Sequence, residues 1–192
     1  MPSTGPRIPF IDPARISDPA MQAAFDTARR EGTPRPESHA IRAHVPAVFW
    51  SFQRAWQDTF RNGVCEHEIK ELARLYVSKS VQCDYCGNQR SHTAFAGALT
   101  EDDVRDLLEF EKSTRFDARQ KAALRFAEAL TWGLEPGDDF WAELNRHFSV
   151  EQQVELGFFI GLTLGQQRFN KLIGLEHHRF MAGTAAGLAP QA

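Results

Sequence analysis

Runs of helical length, opened by caps or prolines and closed by glycines, follow one another through this chain of 192 residues with almost no strand-like alternation. That pattern restricts it to an all-α fold. Asp18-Pro19 supplies an N-cap and a proline at the first helical position; Met21, Ala24, Phe25 and Ala28 follow at helical spacing until Gly32. Thr33 to Glu37, with Pro34 and Pro36, reads as a linker. From Pro46, the residues Val48, Phe49, Phe52, Trp56 and Phe60 mark an amphipathic helix ending near Gly63. The next helix runs from about Glu66 to Val81, and another is expected to hold Cys83 to about Ala98. Thr100 with Asp103 forms a capping box for a helix over Glu101 to Phe110, Asp117 caps the next, and a short helix spans Asp138 to His147. Ser149 with Gln152 forms a second capping box, opening a helix that continues to about Leu175.

The length fits one domain with an extension: an N-terminal arm and helix over 1–44, a helical domain over 45–181 and a flexible tail over 182–192. With 42% apolar and 24% charged residues the composition is that of an ordinary soluble protein. A net charge of −3 gives no broad reason to expect nucleic acid or an anionic membrane as a partner. The Pro-rich start lacks the apolar core of a secretion signal, so the expected location is cytoplasmic. The most apolar stretch, Leu156 to Gly165, is half of the roughly twenty residues a bilayer span needs.

Three cysteines are too few for a structural framework and odd in number, so any pair at meaningful spacing points to redox or metal chemistry. Cys83 and Cys86 are that pair. Two intervening residues put them about 300° apart on a helix, close enough for their sulfurs to close a small disulfide ring. At a helix start, unsatisfied N–H groups favour thiolate, which attacks a peroxide oxygen or another disulfide. The alternatives are two small residues packed in a core, or half of a zinc site, for which Cys65, His67 and His92 are the only nearby further ligands.

Glu71, the Cys83-x-x-Cys86 pair, and the stretch Ala94-x-Ala96-Gly97-Ala98-Leu99-Thr100-Glu101 leading to Val104 together resemble the carboxymuconolactone decarboxylase superfamily, and within it the alkylhydroperoxidase D-like (AhpD-like) branch. The similarity covers about residues 45–175. It implies an AhpD-like helical domain with the C-x-x-C at a helix N-terminus, assembled as a homo-oligomer. It also implies that the cysteines reduce a hydroperoxide and are re-reduced by a dithiol partner, with no metal or organic cofactor. Members of the decarboxylase branch lack the cysteine pair, which favours the redox branch; the alternatives are a decarboxylase-type enzyme acting on a lactone acid, which needs no thiols, and a non-catalytic oligomeric helical protein whose thiols sense oxidants.

The chain departs from that pattern around the thiols. The family places a histidine four residues after the second cysteine, where this sequence has Arg90. On a continuous helix Arg90 shares the face of Cys86, where its fixed charge stabilises a thiolate but carries no proton. His92 would lie about 180° from Cys83 on such a helix and cannot serve the pair. Tyr85 stands between the cysteines as a hydrogen-bond donor or a packing group. Glu71 matches the family's proton-relay carboxylate, yet its helical wheel places it with Ser78 on a polar side, so it is either a relay or a solvated acid. Cys65 reads as an inert thiol and His177-His178 as exposed. Gly157, Gly161 and Gly165 form one line suited to a close helix approach, in the core or between subunits, and Gln166, Gln167, Arg168 and Asn170 give that helix a polar end that can line a pocket.

Overall fold

The computed structural model describes residues 5–177 and 187–189, and its helix starts follow the caps and prolines of the sequence. In α1 (Pro19–Glu31), Asp18 accepts from the N–H groups of Ala20 and Met21, at 2.9 and 3.3 Å. A second helix, α2 (Pro36–Arg42), begins inside the segment that the two prolines suggest is a linker. Pro36 occupies the first turn, where a missing N–H costs nothing, so the same residue that reads as a breaker starts a helix. Next come α3 (Pro46–Trp56), which widens into a π-turn over Gln57–Arg61, and α4 (His67–Ser80).

The single helix expected from Cys83 to about Ala98 is replaced by two short ones, α5 (Asp84–Gly87) and α6 (His92–Phe95). Between them the backbone turns outward to meet the C-terminal segment: Arg90 N–H donates to Gly187 O at 2.5 Å and Ala189 N–H to Asn88 O at 2.8 Å. That pairing takes these groups out of any helical ladder. It also requires glycine at two places, because a methyl group on Gly32 (φ +79°) or Gly187 (φ +76°) would collide with the facing backbone. Residues 187–189 of the tail are thus held against 88–90; the other tail residues, and His178, lie outside the described residues.

The remaining helices are α7 (Glu101–Asp106), α8 (Ala118–Trp132), α9 (Asp138–His147) and α10 (Val150–Leu172). Capping boxes close at Thr100/Asp103, Asp117/Gln120 and Ser149/Gln152. No β-strand occurs among the described residues. Helix α4 runs through the centre, where Leu72 and Leu75 meet Leu124 of α8 and Leu156 and Ile160 of α10, all fully buried. Each such side chain contributes about 1.5–3 kcal/mol. A second cluster joins Met21 and Phe25 of α1 to Ala40 and Phe49, and so seats the N-terminal helices on the domain. In the glycine line, Gly157 faces the Phe126 ring, where an added methyl would sit 3.1 Å away, while Gly161 and Gly165 face open space.

Candidate active site

Cys83 is the N-cap of α5, and its carbonyl accepts from the N–H groups of Cys86 and Gly87 at 3.0 and 2.8 Å. This one-turn closure brings the two Cα atoms to 5.3 Å, and the sulfurs are joined as a disulfide. The turn forms part of a wall between two spaces. Cys83 lines an open outer cleft of about 580 Å³ with Lys79, Asp84, Arg90, Glu101 and Arg105. Cys86 lines an inner cavity of about 30 Å³ with Arg42, Trp56, Arg74, Gln167 and Asn170. The inner space exceeds the roughly 10–15 Å³ that a single water needs. The Asn170 amide is 3.8 Å from Cys86 Sγ.

Glu71 is neither solvated nor in contact with sulfur. It is fully buried and accepts from Arg74 Nε and Nη2 at 2.6 and 2.8 Å, and from Ser91 N–H at 2.8 Å. Arg74 also donates to the carbonyls of Cys86 and Gln89, at 3.0 and 2.8 Å. The polar side of α4 is therefore buried as completely as its apolar side, because the cysteine turn and the 88–91 segment cover it. Ser91 Oγ lies 2.7 Å from His67 Nε2, and the other ring nitrogen of His67 is 2.9 Å from Phe60 O. Burial lowers the His67 pKa.

Arg90 does not share a face with Cys86, since α5 ends at Gly87 and the helical arithmetic stops there. Its guanidinium donates to both oxygens of Glu101, at 2.7 and 2.9 Å, and to the carbonyls of Gly87 and Gln89. The same break removes the basis for placing His92 by helical angle. Tyr85 points inward: its hydroxyl accepts from Ser38 N–H at 3.2 Å and donates to Glu37 Oε2 at 3.4 Å. Burial, reinforced by the Glu37 charge, pushes its pKa up, so it stays a neutral phenol. The half-buried His177 ring lies against it, with 4.7 Å between centroids.

Helix α2 supplies residues that the sequence pattern did not single out. Arg35 pairs with the buried Glu37 at 3.1 Å. Arg42 donates to Gln166 Oε1 through Nε and Nη2, at 3.1 and 2.9 Å, and to Ser38 Oγ through Nη1 at 3.1 Å; its charged end lies 3.5 Å over the Phe52 ring. Burial lowers the Arg42 pKa to about 10, and the charge is retained at neutral pH. Arg74 had a readable signal in its i,i+3 spacing from Glu71. Arg42 had none, because its relation to Cys86 is wholly tertiary. The polar end of α10 does line the inner cavity through Gln166, Gln167 and Asn170, whereas Arg168 donates elsewhere, to Thr131 O at 3.4 Å. Cys65 is free and buried, its thiol pushed up to about 12 by burial and by Glu66.

Comparison with known proteins places this geometry. Residues 46–129 match the Carboxymuconolactone decarboxylase family. An uncharacterized protein of Mycobacterium tuberculosis is 34% identical over 115 residues, which is 59% of this chain; the chain spans 40% of that relative's length. Among solved structures, an alkylhydroperoxidase AhpD core protein from Ralstonia eutropha JMP134, described as peroxidase-related, superposes with a TM-score of 0.73 at 18% identity, covering 95% of this chain and 98% of that one. The debrominase Bmp8, in a cysteine-to-alanine variant bound to 2,3,4-tribromopyrrole, superposes with a TM-score of 0.71 at 20% identity, covering 97% and 96%.

Proposed function

We propose that this chain, whose residues 46–129 match the carboxymuconolactone decarboxylase family and whose fold is the all-helical AhpD-like one, is a thiol-dependent peroxidase cycling Cys83 and Cys86 between dithiol and disulfide. The observation that carries this reading is the position of the bonded pair between a small cavity at Cys86 and a larger cleft at Cys83.

Cys86 is the attacking thiolate. Its sulfur forms a bond to one peroxide oxygen while the O–O bond breaks, and the departing oxygen takes up a proton and leaves as an alcohol or water. Cys86 is then a sulfenic acid. The Cys83 thiol attacks that sulfur, the S–S bond forms, and water leaves. Two thiols have thus given two electrons and two protons to one peroxide. A dithiol partner attacks Cys83 from the outer cleft and restores both thiols by exchange. Glu71 acts through Arg74, which fixes the carbonyls of Cys86 and Gln89, and Tyr85 anchors the turn to α2. Arg90 and Glu101 close the cleft wall.

Bmp8 is a debrominase, so this fold carries more than one chemistry. The cavity at Cys86, about 30 Å³, is far below the roughly 300 Å³ at which pockets begin to enclose larger organic ligands, which favours a small peroxide there. A homo-oligomer belongs to the same reading, and the exposed apolar residues Val150, Val154, Phe158 and Leu172 along α10 suit such a contact. No helix among the described residues is long and apolar enough to cross a membrane. A cytoplasmic setting, where thiols are kept reduced, suits a cycle that depends on a dithiol.

The test is peroxide consumption by the full chain with a dithiol reductant. Turnover is expected in the parent and lost on Cys83→Ser or Cys86→Ser. Equal activity in parent and variants would overturn the reading.

A further inference from the structure

Buried charges persist when they are paired. Around the cysteine turn the pairing is nearly complete: Arg74 with Glu71, Arg35 with Glu37, Arg90 with Glu101. Arg42 is the exception. It is buried, and its hydrogen bonds go to neutral oxygens, those of Gln166 and Ser38, with no carboxylate in ion-pair range among the described residues. A guanidinium carries five N–H donors and stays charged at neutral pH. This one is held in place by α10 on one side, by the preceding turn of α2 on another and by the Phe52 ring beneath it. It lines the same small cavity as Cys86.

In the disulfide the sulfur of Cys86 is uncharged, so the cation faces no anion. Reduction changes that. We propose that Arg42 is the positioning residue that supplies the countercharge of the Cys86 thiolate, so that opening the disulfide completes a buried ion pair across the inner cavity. The proposal rests on the dithiol–disulfide reading above.

The other groups around Cys86 are already committed. Arg74 is bound to Glu71 and to two carbonyls, Arg90 to Glu101. The phenol of Tyr85 is tied to Glu37, and the His177 ring lies against Tyr85. His39, on α2 with Arg42, is held neutral by burial, and α10 brings only neutral amides, Gln166, Gln167 and Asn170. Helix α5 has four residues, too few aligned peptides to build a strong dipole. Lys79 and Asp84 line the outer cleft instead.

The experiment uses the full chain with Cys65→Ser and Cys83→Ser, leaving Cys86 as the sole thiol, and follows its alkylation by iodoacetamide against pH. Arg42→Met is expected to raise the midpoint by about one unit or more, which is at least a tenfold loss of thiolate below it. Arg42→Lys is expected to retain most of the parent midpoint, and Arg90→Met all of it. In the otherwise unaltered chain, Arg42→Met should make the disulfide less oxidising, by about tenfold in its exchange constant with glutathione, or about 30 mV. Should Arg42→Met lose its helical circular dichroism, Arg42→Gln removes the charge while keeping hydrogen-bonding capacity, and the same shift is expected. An unchanged midpoint in a folded, charge-removing variant overturns the proposal, as does an equal shift in Arg90→Met. Alkylation does not read peroxide turnover. A parent inert to peroxide with the shift intact would remove the peroxidase reading and leave the role of Arg42 standing.

Discussion

Arg74 donates to both carboxylate oxygens of Glu71, at 2.6 and 2.8 Å, in a site where both side chains are buried. Removing one partner leaves an unpaired charge in the interior, so Arg74→Met and Glu71→Leu are each expected to cost about 3–5 kcal/mol. Denaturant unfolding of the two single variants and the double variant checks this. The double variant should recover a large part of the loss, and single losses below about 1 kcal/mol would contradict a buried pair.

Burial lowers the His39 pKa to about 3, with the Arg42 charge adding to the effect. The folded chain therefore holds His39 neutral at pH values where the unfolded chain, with an ordinary pKa near 6.5, is already protonated. Stability is full above about pH 6.5 and falls with pH below it, by up to about 1.4 kcal/mol per unit from this residue, until about pH 3. His67, also lowered by burial, adds to the same trend. His39→Phe should flatten the dependence of unfolding free energy between pH 6 and 4 by about that slope. The rings of Phe25 and Phe49, 5.6 and 5.2 Å from the imidazole, give the new ring an apolar seat.

Helix positions along most of this chain were legible because their signals are local. Asp18-Pro19, Thr100/Asp103 and Ser149/Gln152 cap the helices they announce. The segment after Cys86 misled, because what ends the helix at Gly87 is pairing of 88–90 with residues about one hundred positions later. Pro36 misled for another reason: a proline is equally at home in a linker and in a first helical turn. At the site, the cysteine pair was visible from spacing alone. Burial of Glu71 was not, since its wheel position is polar and only the covering segments remove it from water. Arg42 lies more than forty residues from Cys86, and nothing local connects them.

Gly32 meets the Arg90 carbonyl at a positive φ of +79°. Gly32→Ala is expected to destabilise the chain by about 1–3 kcal/mol from the backbone conformation alone. The added methyl also displaces the 88–90 segment, so hydrogen exchange at the Arg90 amide, bonded to Gly187 O in the parent, should accelerate. Parent-like protection there would contradict the close approach.

The Cys65 thiol, pushed up to about 12, should resist alkylation at neutral pH in the folded chain and react once it is denatured. Mass mapping of the two states checks this and separates Cys65 from the reactive pair.

The most direct test of the central claim is the position of the sulfenic acid formed by one equivalent of hydrogen peroxide. The reduced full chain is used as Cys83→Ser and, separately, as Cys86→Ser, with a dimedone trap and mass mapping. Trapping at Cys86 in the first variant and little at Cys83 in the second is the predicted result. Trapping at Cys83 alone, or at neither cysteine, would contradict it.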